Sequence, residues 1–159
     1  RRRRNRANNG NGRSAGVGST SGKFCFSKTN IPGNANGKLT FGPSLSEYDT
    51  FVNGILKSYH EYKISNVKIQ FLSEAASTAA GSISHELDPH CESETLTSEV
   101  KSLSITKGGT ISYGGKAING ERWHSNTKNQ FRFLFKGNGA SSIAGRFLIT
   151  FTCHFQNPK

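Results

Sequence analysis

The sequence predicts an all-β fold of about eight short strands, arranged as a sandwich or a barrel. Three observations carry that reading. Apolar and polar residues alternate at a period of two in several stretches, Gly, Asn and Ser clusters separate those stretches, and helical spacing occurs only once.

The clearest alternation is GRFLITFTCHFQN, where Phe147, Ile149, Phe151, Cys153 and Phe155 share one face and Leu148, Thr150, Thr152 and His154 the other. Successive side chains of a strand point to opposite faces, so this pattern describes a strand with one buried side. NQFRFLFKG repeats it with Phe131, Phe133 and Phe135 against Arg132, Leu134 and Lys136, and YKISNVKIQFL sets Val67, Ile69 and Phe71 against Lys68 and Gln70. KFCFS, GKLTFG, GSISHEL, SLSIT and TISYG supply the shorter strands. The single helical pattern is SEYDTFVNGILKSYH, with Phe51, Val52, Ile55, Leu56 and Tyr59 on one stripe and Ser46 and Asp49 spaced as a capping box. Gly54 inside it costs about 1 kcal/mol relative to Ala, so packing has to hold this helix.

Charge is divided unevenly. Residues 1–46 contain Arg1, Arg2, Arg3, Arg4, Arg6, Arg13, Lys23, Lys28 and Lys38 and no acid, whereas the rest of the chain carries twelve basic and ten acidic residues. A basic arm on a nearly neutral body points to a polyanionic partner, nucleic acid before anionic membrane. Residues 1–22 offer Val17 as their one sizeable apolar side chain. Such a segment buries too little surface to offset its ordering entropy, so it is expected to be disordered or to order only against a partner. The chain begins on RRRRNR and has no methionine, which fits a basic tail continuing upstream. Cys25, Cys91 and Cys153 are odd in number and far apart, which reads as reduced thiols and not as a disulfide framework. There is no apolar run long enough for a membrane-spanning helix.

Several stretches imitate catalytic motifs. HELDPH places His85 and His90 one residue too far apart for a zinc-binding H-E-x-x-H helix, and Pro89 breaks a helix there; His85 instead shares an apolar strand face with Ile83 and Leu87. Asp88, Glu92 and Glu94 are weak candidates for a Ca²⁺ site, set against a solvated acidic loop. GNANGKLT is one residue short of a P-loop and has Leu39 where Ser or Thr would hold Mg²⁺, so it reads as a turn. Trp123 reads as a core or interface anchor, with base stacking as its alternative. Leu134 and Leu148 sit on the outward faces of their alternations and are candidates for subunit contact. No stretch signals catalysis, and neither a metal nor any other cofactor is required.

The arm's six arginines pair with phosphate bidentately and stay charged at physiological pH. If all six neutralise phosphates of single-stranded nucleic acid, the salt slope of binding is about −4 per chain, from roughly −0.7 per contact. Such contacts carry no base specificity. A nuclear-import signal is a second reading of the same run.

FGPSLSE, GILKSYHEYKIS, LSEAASTAAGSISHELDPHC, ITKGG, INGERWH, KGNGASSIAGRF and FQNPK together cover most of residues 24–159. They resemble the coat proteins of poleroviruses and luteoviruses, small icosahedral plant viruses with positive-strand RNA, the poleroviruses being closer. The resemblance implies an eight-stranded jelly-roll shell domain over residues 23–159, preceded by the RNA-binding arm at 1–22. It further implies a T=3 capsid built from copies of the chain around genomic RNA. A minor readthrough form, aphid vector proteins as partners, and a place in the virion and the host cytoplasm, with passage to the nucleus, follow from it as well. Two segments depart from the family pattern: Glu47-Tyr48-Asp49-Thr50 after GPSLS, and the acid-free Ser125–Asn129 after WH. Two other readings compete with a capsid protein. One is a cellular basic β-sandwich that binds nucleic acid or glycan, and the other a metal hydrolase built around His85, Glu86 and His90.

Overall fold

The computed structural model describes residues 18–159, so the arm arginines Arg1, Arg2, Arg3, Arg4, Arg6 and Arg13 lie outside the described residues. The described strands are β1 (Thr20–Pro32), β2 (Asn36–Phe41), β3 (Tyr59–Ser73), β4 (Ser82–Asp88), β5 (Lys101–Ser104), β6 (Gly109–Gly114), β7 (His124–Ser125), β8 (Phe131–Gly137) and β9 (Ile143–Pro158). All eight strands read from the sequence are present, and β7 adds a two-residue ninth.

Two antiparallel sheets pack face to face. One runs β1-β9-β3-β6, with β7 also beside β3, and the other runs β2-β8-β4-β5. Chain neighbours β1 and β2, and again β8 and β9, lie in different sheets, so the chain crosses repeatedly between layers as a jelly roll does. The inward positions of the alternations fill the space between the sheets: Phe26, Ile64, Val67, Ile69, Phe71, Phe147, Ile149, Phe151 and Phe155 from one, and Leu39, Phe41, Ile83, Phe131, Phe133 and Phe135 from the other. The rings meet edge-on and offset. Phe41 stacks on Phe131 at 4.3 Å, while Phe51 meets Phe151 at 5.1 Å and 87°.

The expected helix is present in shortened form. It comprises a wide π-type turn at Phe51–Ile55 and a 3-10 turn at Leu56–Ser58, and Tyr59 already opens β3. Phe51, Val52 and Leu56 reach the core, too few to hold a longer helix against the propensity of Gly54. The expected capping box does not form: Asp49 is already helical and its carboxylate accepts from the Asn53 amide, while the Ser46 hydroxyl donates to Glu47 at 3.3 Å. At the other end of the anticipated shell domain, β1 starts ahead of Lys23, with Thr20, Ser21 and Gly22 paired to Phe155, His154 and Cys153.

One buried amide secures the centre of the larger sheet. The register of β3 against β9 shifts between Ile64 and Asn66. There the Gln130 side chain accepts from the Ile64 N–H at 2.9 Å and donates to the carbonyls of Ile64 at 2.8 Å and Ile118 at 3.0 Å. Gln130 is only 2% exposed, so no solvent replaces these bonds. Close by, the buried Tyr62 hydroxyl donates to the Lys128 carbonyl at 2.7 Å. Gly42, at φ +145°, leaves room for that hydroxyl, because a Cβ there would lie 2.7 Å from it.

Replacing Gln130 by Leu keeps the volume and strands three backbone groups. We expect a loss of about 3 kcal/mol in denaturant unfolding, since each unpaired buried group costs about 1–3 kcal/mol. A loss below about 1 kcal/mol would show that the bulge does not depend on this amide.

Candidate assembly and nucleic-acid surfaces

The middle of the outer face of the four-stranded sheet, at Thr40, Arg132 and Leu134, is closed to solvent. The link from β4 to β5, residues 89–100, folds back across it and is tied down by polar contacts. Arg132 donates through Nη1 to the Ser93 carbonyl at 2.7 Å and to Glu94 at 3.3 Å, and through Nε to Thr40 at 3.1 Å. Lys38 also binds Glu94, and Lys136 faces Glu99 at 3.7 Å. On the next strand, Glu86 accepts from the Thr97 N–H at 2.9 Å, the Thr97 hydroxyl at 3.0 Å and the Ser98 N–H at 3.3 Å.

This cover corrects the reading of Leu134. Leu134 lies between Lys38 and Glu86 in the register, under the excursion, and is 0% exposed. It is buried inside its own chain and is not available to a neighbouring copy. Leu148 behaves differently. It is half-buried on the outer face of the five-stranded sheet, in a cross-strand row with Ser27 and Gln70. Trp123 is also half-buried, with the Lys63 ammonium 4.6 Å above its ring, and it lines an open groove with His60, Glu61 and Lys159.

Asp88, Glu92 and Glu94 are engaged differently from one another. Among the described residues, no group of three or more His, Cys, Asp or Glu side chains converges in a way that would hold a metal. Asp88 caps the turn after β4, accepting from the N–H groups of His90 at 3.1 Å and Ser93 at 2.7 Å. Burial pushes its pKa upward, but the N–H bonds from Ser93, His90 and Glu92 and the charge of Arg132 outweigh this and hold it below the usual carboxylate value. The Lys38 contact and then the Arg132 charge hold Glu94 down likewise. Their oxygens therefore serve the excursion, and Glu92 stands exposed beside them.

The HELDPH residues separate. His85 faces the core, Glu86 faces the excursion, and His90 is exposed in the turn. His85 stacks on Phe133 at 5.9 Å, and its Nδ1 has no hydrogen-bond partner. Burial, followed by the charge of Lys101, lowers its pKa. GNANGKLT is a turn only at Gly33–Ala35, closed by the Ala35 N–H on the Pro32 carbonyl at 3.0 Å, and from Asn36 onward it is already β2. The Glu47 departure has a local use, since its carboxylate pairs with Lys28 at 3.0 Å and ties the loop after β2 to β1.

Sequence reasoning missed the Arg132 clamp and the gathering of exposed cations on the five-stranded sheet. Alternation put Lys68 outward, but only the register of β1, β9 and β3 sets it on the same face as Lys23 and Arg146.

Solved viral shell proteins share this jelly-roll fold. The giant freshwater prawn nodavirus particle protein superposes with a TM-score of 0.71 at 14% identity, covering 92% of this chain and 97% of that one. The tobacco necrosis virus protein does so with a TM-score of 0.69 at 11% identity, covering 89% and 97%. At such identities the likeness speaks for the jelly-roll fold alone. Sequence carries the assignment further: the luteovirus coat protein profile matches residues 22–158. The major capsid protein of cereal yellow dwarf virus (isolate RPV) is 57% identical over 145 residues, covering 91% of this chain and 71% of that protein. The readthrough protein P3-RTD of beet western yellows virus (isolate GB1) is 52% identical over 155 residues, covering 94% of this chain and 23% of that protein. The chain belongs to the luteovirus coat protein family, and it is a structural protein and not an enzyme.

Two predictions follow from this geometry. Arg132→Ala frees the excursion, so hydrogen exchange over residues 89–100 is expected to quicken while β9 stays protected, with about 2 kcal/mol lost from the charge-assisted bonds. The second concerns acid. An unfolded His85 takes its proton near 6.5, whereas the folded one resists it, so stability is full above that pH and falls as the pH drops through it. Denaturant unfolding at about pH 7.5 and about pH 5.5 is expected to show this loss in the wild type. His85→Leu should keep only the acid response of His154, whose pKa is lowered by burial and by Lys63.

Proposed function

We propose that the chain is the major coat protein of a T=3 icosahedral plant-virus particle and that its arginine-rich N-terminal arm packages single-stranded genomic RNA. The observation that carries this reading is the division of charge. Six arginines and no acid occupy residues 1–13, and the arm leads into β1 of a body in which residues 47–159 carry twelve basic and ten acidic groups. Identical bodies pack without strong mutual repulsion, while the arms meet a polyanion that neutralises them. Each arm binds weakly by itself, and many copies on one RNA bind strongly through effective concentration.

The match to a relative's readthrough protein supports a minor, longer form of this coat protein. The family resemblance supports aphid vector proteins as partners, and a shell built from copies of one chain supports the half-buried Trp123 as a subunit contact. The resemblance also supports residence in the virion and host cytoplasm, with passage into the nucleus through the arginine run.

Removing residues 1–13 is expected to lower the RNA content of purified particles and to reduce the salt slope of RNA binding by about 4. Particles of the shortened chain that still carry full-length RNA would refute the packaging role. Electron microscopy of the intact chain tests the shell itself, and a monomer at all concentrations would refute assembly.

A further inference from the structure

The two outer faces of the sandwich handle charge in opposite ways. On the four-stranded sheet, Lys38, Arg132 and Lys136 are matched by Glu94 and Glu99 of the excursion, so that face is neutralised within the chain. The outer face of the five-stranded sheet carries Lys23 on β1, Arg146 on β9 and Lys63 and Lys68 on β3. Among the described residues, ion pairs involve Lys28, Lys38, Arg132 and Lys136, and none involves Lys23, Lys68 or Arg146. Of the carboxylates beside this face, Glu61 is held by Gln156 at 2.6 Å and Asn157 at 3.3 Å, and Glu74, just past β3 with its N–H on the Ala144 carbonyl, has no ion pair among the described residues.

The register fixes how these cations are spread. Lys23 pairs with Thr152, which pairs with Asn66; one step along, Lys68 pairs with Thr150, and Arg146 pairs with Leu72 further on. With strands about 4.8 Å apart and about 3.4 Å of rise per residue, Lys68 lies on the order of 10–15 Å from each of the other two and Lys23 about 20 Å from Arg146, on a surface of Thr, Ser, Asn and Gln that also carries Leu148. Lys63 is occupied by Trp123, which leaves Lys23, Lys68 and Arg146 exposed and unmatched. Their strand β1 is also the one into which the arginine arm leads.

We propose that this face is a second RNA contact, where Lys23, Lys68 and Arg146 engage phosphates, and that the five-stranded sheet therefore lines the inside of the shell. The proposal rests on the packaging reading and adds a rigid contact to the arm's flexible one. It also orients the subunit, because the neutralised face with its acidic excursion then looks outward.

The test uses the full chain and a fluorescent, unstructured oligouridylate, with affinity measured across a salt series. Lys23→Gln/Lys68→Gln/Arg146→Gln is expected to reduce the salt slope by about 2, from roughly −0.7 for each lost contact. Lys57→Gln/Lys107→Gln/Lys116→Gln, three exposed lysines elsewhere, should leave it unchanged. Equal slopes for the two variants would overturn the proposal and leave the arm's role standing. A face variant with wild-type RNA binding that no longer closes shells would overturn it too, and would make the face a contact between copies. A wild-type chain indifferent to the oligonucleotide would bring down the packaging reading itself. Orientation has its own readout in Cys25, which is exposed on this face with its Sγ 3.7 Å from the Thr150 hydroxyl. A bulky polymer-linked maleimide is expected to miss Cys25 in closed particles and to modify it after dissociation, and modification in closed particles would refute the inward orientation.

Discussion

The structure depends on one constraint, the aromatic layer between the sheets. Ten of the eleven phenylalanines are buried, and the remaining one, Phe24, is partly buried against the same cluster. Rings fill a gap of about 10 Å between two sheets with few residues and little side-chain entropy. Their register decides everything outside. A one-residue slip in β9 would turn Phe147, Phe151 and Phe155 to solvent and bring Arg146, Thr150 and His154 inward. The outer faces are in this sense by-products of the inner one. Lys23 and Lys68 share a surface because Phe24, Phe26, Val67 and Ile69 share an interior.

Local pattern revealed the strands well and their surroundings poorly. Each alternation in the sequence became a strand, because period-two burial is a property of a few consecutive residues. Leu134 shows where this fails. Its neighbours Phe133 and Phe135 mark it as outward, yet a segment some forty positions away covers it, and that cover depends on Arg132 reaching Ser93. The same applies to Gln130, a polar residue beside an apolar run, which looks like a loop residue until Ile64 and Ile118 are brought to it. The helical stripe was overstated for a related reason, since Tyr59 fits a helix locally but is claimed by the ladder with Pro158. The candidate surfaces were legible only as composition. The arm stands out as an acid-free run, whereas the basic sheet face needs three strands in register before it can be seen.

The acidic residues of the chain show how a body can be nearly neutral and still have two distinct sides. Glu94 and Glu99 are placed where they cancel lysine and arginine on one sheet, and Asp88 and Glu86 are engaged in holding the loop that carries them. Among the described residues no acidic segment is tied across the other sheet, whose outward positions mix hydroxyls and amides with Lys23, Lys68 and Arg146. A shell of such subunits has a chemical polarity that net charge does not report.

The order of the strands also bears on how the molecule comes into being. β9 lies between β1 and β3 and is the last strand along the chain, so Thr20 waits for Phe155. While a ribosome is still translating, both of its neighbours have open ladders and most of the greasy rings lack a facing layer, a state prone to wrong pairing. Closure of this sheet therefore waits until β9 has been made, long after the cationic arm has emerged.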